Sequence, residues 1–195
     1  EEMTTTTTLR NRKRMSRFET ISRLVATLDD RDAVIGGIGN TNFDLWAAGQ
    51  RPCNFYMLGS MGLAFPIALG VALAQPNRRV IALDGDGSLL MELGCLATIA
   101  AVAPRNLTMV LFDNGMYQIT GGQKTVTSET ADLVAIAQGC GIPDSKWATD
   151  EADFDRLFAE AVASEEPSLI GVPTDTAKAR GTTDRDPVRI RVSFS

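Results

Sequence analysis

Arg79-Val80-Ile81-Ala82-Leu83-Asp84-Gly85-Asp86-Gly87-Ser88, a run from Leu89 to Phe112, and then Asp113-Asn114-Gly115 together decide the fold of this chain. Residues 79–83 read as a buried strand, residues 89–102 as a helix and residues 107–112 as the next strand. The Gly-Asp-Gly-Ser turn therefore sits where a strand hands over to a helix N-terminus. Such a turn is an anion site by construction, because unpaired N–H groups and the positive dipole end face outward there. Gly85 and Gly87 let the main chain approach a ligand with no Cβ in the way, and Ser88 adds a hydroxyl. A diphosphate is best held with a hard divalent cation, and Mg2+ takes one or two side-chain oxygens plus phosphate oxygens and water. Asp86 supplies one such oxygen, and Asn114, closing the following strand, supplies a neutral second. Taken alone, Gly-Asp-Gly is a common turn. Its pairing with Asp-Asn one helix and one strand later carries the argument, since adjacent parallel strands bring their C-terminal ends to one rim.

Working outward, strand and helix signals alternate along the chain. Helices are expected over residues 18–28, 41–48, 63–74, 89–102, 132–138 and 150–163; strands over 33–38, 55–58, 80–83, 107–112, 146–148 and 168–172. That beat predicts an α/β fold, a mainly parallel sheet with helices on both faces. The strands are apolar nearly throughout, as a sheet covered on both sides requires. Residues 1–16, with a threonine run and a basic cluster, read as a disordered tail. One domain spans 17–174, and residues 175–195 read as an irregular tail or a segment that docks on another chain. No internal repeat is visible.

At 195 residues, 44% hydrophobic and 22% charged, the chain is long enough for one α/β domain. A formal charge of −5 gives no electrostatic reason to expect nucleic acid or an anionic membrane. The longest apolar stretch, residues 59–74, is interrupted by Pro66 and is too short to span a bilayer comfortably. Cys53, Cys95 and Cys140 are scattered and form no Cys-x-x-Cys pair, so neither a disulfide framework nor a zinc or iron–sulfur site is indicated; a cytoplasmic setting fits best.

Gly36-Gly37-Ile38-Gly39-Asn40 follows a strand but lacks the third glycine of a dinucleotide fingerprint. Ahead of Thr41 it can still offer N–H groups to a phosphate. Residues 115–125 form a Gly-rich polar loop leaving the sheet at the rim that carries Asp86, where it can cover a reacting group. Glu92 is read as a solvated or dipole-facing residue of the helix after the phosphate turn.

Taken together, Gly85-Asp86-Gly87-Ser88, a gap of about two dozen residues and a closing Asn114 resemble the diphosphate–Mg2+ signature of thiamine-diphosphate enzymes. The resemblance implies the diphosphate-binding domain of that superfamily, with thiamine diphosphate and Mg2+ as cofactors. It makes Asp86, Asn114 and the Met116 carbonyl the metal ligands and Gly39, Asn40 and Thr41 the first diphosphate loop. Leu58-Gly59-Ser60-Met61-Gly62 matches the segment that bends the cofactor, with Met61 as a polarizable prop between its rings and the Gly59 carbonyl accepting from the aminopyrimidine. Tyr117 and Ile119 join the cofactor-facing set. Thr120 stands where several related decarboxylases carry a catalytic glutamate; Thr120, Gln123 and Lys124 are instead candidates for contacting an anionic substrate head group.

Cofactor activation in this superfamily needs a glutamate on the pyrimidine ring, carried by a separate domain for which this chain has no room. The chain also contains no histidine, so the commonest general acid–base side chain is missing. The resemblance is strongest to sulfopyruvate and phosphonopyruvate decarboxylases, the former commonly split into α and β subunits. It implies a β-type subunit of a 2-oxo acid decarboxylase, a hetero-oligomer whose active site is completed by a pyrimidine-binding α-type partner. Alternatives are another thiamine-diphosphate enzyme subunit, a carboligase or a 2-oxo acid oxidoreductase, or a non-catalytic cofactor-binding subunit.

Overall fold

A computed structural model describes residues 12–194. In chain order it runs α1 (Arg17–Ala26), β1 (Ala33–Gly36), α2 (Asn40–Ala48), β2 (Asn54–Tyr56), α3 (Ala64–Ala74) and β3 (Val80–Gly85). There follow α4 (Asp86–Leu89), α5 (Gly94–Val102), β4 (Leu107–Asp113) and a short hairpin of β5 (Met116–Tyr117) and β6 (Gln123–Lys124). The last part holds α6 (Leu133–Gly139), β7 (Ser145–Trp147), α7 (Glu151–Ala163), β8 (Ser168–Pro173) and α8 (Pro187–Ser193). Six strands form one sheet in the order β2-β1-β3-β4-β8-β7, every pair parallel.

Period-two alternation explains why both faces are covered. From β4, Leu107, Met109 and Leu111 join a core with Phe65, Ala68 and Ala72 of α3, Leu96 and Ile99 of α5 and Leu133 of α6. Val110 and Phe112 turn the other way, onto Ile21 and Leu24 of α1, Leu45 of α2 and Phe154, Leu157 and Phe158 of α7. Each large apolar side chain fully buried there contributes about 1.5–3 kcal/mol, so the two cores dominate stability. No helix among the described residues is long and apolar enough to cross a membrane.

Four local expectations are revised. The helix expected over 89–102 splits into α4 and α5, and the intervening turns tighten to i→i+3 bonds such as Glu92 N–H to the Leu89 carbonyl, 3.0 Å. Gly94, a poor helix interior residue, begins α5. The loop at 115–125 contains the β5–β6 hairpin, paired Met116 to Lys124 and Tyr117 to Gln123.

Of the tail expected over 1–16, residues 1–11 lie outside the described residues, and 12–16 are built into the fold. Met15 is buried and pairs with the main chain after β8, its N–H on the Pro173 carbonyl at 2.9 Å. Ser16 then caps α1 by accepting from the Glu19 N–H. The C-terminal segment folds back on its own chain: the Arg180 N–H reaches Asp44 Oδ1 at 2.8 Å, and the Arg180 guanidinium lies 4.4 Å from the Phe18 ring centroid. Asp186 caps α8 with Pro187 in its first turn, a start signal that the expected irregular tail overlooked. Phe194, just beyond, meets Phe55 of β2 with ring centroids 5.3 Å apart and planes tilted by 60°.

Strand order locates the site. From β1 the chain moves outward to β2, then returns to place β3 on the other side of β1. Loops leaving the C-terminal ends of β1 and β3 therefore diverge, and the crevice between them is where open α/β sheets bind ligands.

Candidate functional site

A cavity of about 130 Å³ opens at that crevice. Ile38, Gly39, Asn40 and Thr41 line it from the end of β1, and Gly85, Asp86, Gly87 and Ser88 from the end of β3. Asn114, Met116, Tyr117, Gln118, Ile119 and Thr120 enter from the loop after β4, and Met61 from the segment before α3. Four segments far apart in sequence thus converge. Gly59 and Ser60 stand outside the lining, although Ser60 is held at φ 57°, a left-handed conformation uncommon for a side-chain-bearing residue. Gln123 and Lys124 also lie outside it: both are exposed, and the Lys124 ammonium sits 3.3 Å from Glu129.

The carboxylates sort into two groups. Asp84 is structural: it accepts from Ser88 Oγ at 2.8 Å and the Gly85 N–H at 2.9 Å, while Ser88 Oγ accepts from the Gly62 N–H at 2.7 Å. This relay ties the Met61 segment to the phosphate turn. Burial pushes the Asp84 carboxyl up to about 7. Asp86 instead lines the cavity and accepts from Thr125 Oγ1 at 2.5 Å and Thr127 Oγ1 at 3.2 Å. Burial raises its pKa, opposed by those hydroxyls and by the N–H groups of Gly87 and Asn114. The two residues expected to share a cation thus line one cavity, and the Asn114 main-chain N–H is close enough to the Asp86 carboxylate to hold its pKa down. Asp113 is pushed up to about 7 by burial and then by Asp86, and its Oδ2 is buried with no partner.

Asn114 Oδ1 accepts from the Met116 N–H at 3.0 Å, and its Nδ2 donates to Gln118 Oε1 at 3.1 Å. Gln118 Oε1 also accepts from Asn40 Nδ2 at 2.8 Å. Five residues of the lining were missed from sequence: Arg17, Ile38, Phe112, Gln118 and Thr174. Arg17 is buried and paired with Asp44 at 2.8 Å, and the Thr174 hydroxyl is buried without a partner. Arg17 left one signal, a cation on the first turn of an otherwise amphipathic helix; Thr174 left none.

These residues fit a diphosphate with a hard cation. Gly87 cannot carry a side chain, since a Cβ there would lie 2.5 Å from Tyr117, and Gly39, at φ 87°, adopts the left-handed backbone. The lining offers a carboxylate and an amide oxygen, hard donors of the kind Mg2+ prefers, beside glycine main chain that a ligand can approach closely. Among the described residues no three acidic, cysteine or histidine side chains gather into a metal cage. Mg2+ bound on phosphates characteristically takes only one or two carboxylates and fills its shell with phosphate oxygens and water.

Comparison with known proteins agrees with this geometry. Residues 37–172 match the family described as thiamine pyrophosphate enzyme, C-terminal TPP binding domain. The chain is 42% identical over 158 residues to phosphonopyruvate decarboxylase of Streptomyces hygroscopicus, covering 81% of this chain and 39% of that protein. To sulfopyruvate decarboxylase subunit beta of Methanocaldococcus jannaschii it is 40% identical over 154 residues, covering 79% of this chain and 81% of the subunit. It therefore spans about two-fifths of the first relative and most of the second. Among solved structures, the thiamine diphosphate-dependent 4-hydroxybenzoylformate decarboxylase of Rhodococcus jostii RHA1 shares the fold with a TM-score of 0.71 at 23% identity, covering 88% of this chain and 33% of that one. The chain carries a thiamine-pyrophosphate-binding domain, and it belongs to the thiamine pyrophosphate enzyme family, in the group of the sulfopyruvate and phosphonopyruvate decarboxylases.

Proposed function

We propose that this chain is the β-type subunit of a thiamine-diphosphate- and Mg2+-dependent carboxy-lyase acting on a 2-oxo acid with a second anionic group, of the sulfopyruvate or phosphonopyruvate type. One observation carries the reading: four segments converge on a single cavity at the switch point of the sheet, and Asp86 and Asn114 both line it. Similarity over most of a chain named subunit beta supports a separate partner. So does the lining, in which, among the described residues, Asp86 is the only acidic side chain. The glutamate that activates the cofactor is assigned to a pyrimidine-binding α-type subunit.

When bound, thiamine diphosphate supplies the electron sink for loss of CO2. This chain's residues position it. Asp86, Asn114 and the Met116 carbonyl hold Mg2+; Gly39, Asn40, Thr41, Gly85, Gly87 and Ser88 serve the diphosphate. Met61, Gly59 and Ser60 set the ring geometry, with Tyr117 and Ile119 along the cofactor. Ile119, 59% exposed, excludes water only once a partner or ligand covers it. Thr120, at the mouth, is the substrate-facing residue we favour. Gln123 and Lys124 occupy the adjoining hairpin, where an exposed ion pair such as Lys124–Glu129 holds its cation weakly.

Decarboxylation of sulfopyruvate and of phosphonopyruvate, assayed with this chain alone and with the partner subunit, tests the reading. Turnover only with both chains, Mg2+ and thiamine diphosphate is expected. Cofactor binding with no turnover of any 2-oxo acid in the reconstituted pair would favour a non-catalytic role.

A further inference from the structure

We propose that Gln118 is a positioning residue that turns the Asn114 amide so that its oxygen, and not its nitrogen, faces the cation, and that the C-terminal segment after β8 sets Gln118 in turn. The inference rests on the metal role proposed above for Asn114.

Hydrogen-bond polarity fixes every amide in the network. Gln118 Nε2 lies 2.6 Å from the Thr176 carbonyl oxygen and 3.5 Å from that of Ala177. Carbonyl oxygens only accept, so the nitrogen end of Gln118 has to face them. Its Oε1 must then face the other way, where Asn114 Nδ2 and Asn40 Nδ2 approach to 3.1 and 2.8 Å. An acceptor there holds the nitrogen ends of both asparagines. Asn114 is left with Oδ1 on the side of the Met116 N–H, which only donates. Flipping Asn114 would set its NH2 against that N–H and its oxygen against Gln118 Oε1, two repulsive contacts in place of two hydrogen bonds. A carbonyl oxygen has two lone pairs, so Oδ1 can serve the Met116 N–H and a cation together.

The strap that orients Gln118 has anchors besides Gln118 itself. Ala177 accepts from Arg17 Nη2 at 3.0 Å, Arg17 is paired with buried Asp44, and Asp44 also takes the Arg180 N–H. Arg14 Nη1 donates to the Asn114 and Thr174 carbonyls, each at 3.2 Å. Residues 174–180 thus form a fixed wall behind the metal ligand. One glutamine side chain transmits that wall's position to the first diphosphate loop and to Asn114 at once. Groups that orient a metal ligand in this way are commonly worth 10–100-fold in metal affinity.

The test uses Mn2+ as a spectroscopic stand-in for Mg2+, titrated by electron paramagnetic resonance into the full chain and its partner subunit with saturating thiamine diphosphate. Gln118→Met keeps length and loses every hydrogen bond; Gln118→Glu keeps an acceptor facing Asn114 and Asn40 but cannot donate to Thr176 and Ala177. At least tenfold weaker Mn2+ binding is expected for Gln118→Met, with Gln118→Glu weakened about threefold, between that variant and the parent protein. A purely structural role would weaken both alike. Asp86→Ala separates the two levels of the proposal. If it abolishes binding while Gln118→Met binds as the parent does, the positioning role is overturned and the cofactor site stands. Parent-like binding by Asp86→Ala overturns both. Gln118→Glu reads the strap directly, because it loses only the donation to the Thr176 and Ala177 carbonyls, and parent-like Mn2+ binding by that variant would refute the link to the C-terminal segment.

Discussion

Asp86 and Asp113 face the same hydroxyl: Thr127 Oγ1 lies 3.2 Å from Asp86 Oδ2 and 2.9 Å from Asp113 Oδ1. A hydroxyl has one proton, so it can satisfy only one of the two carboxylates at a time. Thr125 Oγ1, 2.8 Å from that of Thr127 and 2.5 Å from Asp86, supplies one more. Two buried like charges sharing two hydroxyl protons form an arrangement that favours a cation at its open side.

Replacing one of the two charges should therefore stabilise the free protein. Asp113→Asn is expected to raise stability without Mg2+ and cofactor by on the order of 1 kcal/mol, with the gain shrinking when both are added. Thermal unfolding of the two proteins, with and without ligands, checks this; a variant less stable in both conditions would count against a repulsive pair.

Asp86→Ala removes what is, among the described residues, the only acidic side chain in the cavity lining and leaves the two cores untouched. Mg2+-dependent binding of thiamine diphosphate, measured by calorimetry with the partner present, is expected to vanish. The far-ultraviolet circular dichroism spectrum should stay as it is.

Gly37 turns the chain from β1 toward the first diphosphate loop, and a Cβ on it would lie 2.9 Å from the Leu83 carbonyl oxygen, with the Asp84 carboxylate closer still. Because backbone cannot move aside, Gly37→Ala is expected to destabilise the protein by about 1–3 kcal/mol. Urea unfolding reads this out. An unchanged midpoint would mean that the turn relaxes freely.

The Arg17–Asp44 pair is buried at both ends. Removing one partner leaves a buried charge uncompensated, so Arg17→Met is expected to cost about 3–5 kcal/mol. Arg17→Met combined with Asp44→Leu should recover part of that loss. A double-mutant cycle on unfolding free energies measures the coupling, and additive effects would refute it.

Burial pushes the Cys95 thiol up to about 12. At pH 8 its thiolate amounts to roughly one part in ten thousand. Iodoacetamide at that pH should label half-buried Cys53 and Cys140 well before Cys95, as followed by peptide mass spectrometry. Early labelling of Cys95 would show local opening of the α5 side of the sheet.

Much of this protein is written locally. Apolar strand runs and helical spacing establish the parallel sheet, and glycines around Asp86 establish the phosphate turn, because backbone preference and side-chain period act over a few residues. The resemblance carried by Gly85 to Ser88 and Asn114 led to the family that the comparisons then showed. What only the folded chain decided is which partners each polar group meets. Nothing near Gln118 in sequence shows that its amide faces Thr176, nothing near Arg17 shows that it neutralises Asp44, and Thr125 and Thr127 read as loop threonines until the hairpin lays them on Asp86. Lys124, a natural choice for an anionic substrate when read in sequence, points to Glu129 outside the cavity. Hydrogen-bond direction and burial depend on groups delivered by distant segments, so they exist only once the sheet has brought those segments to one rim.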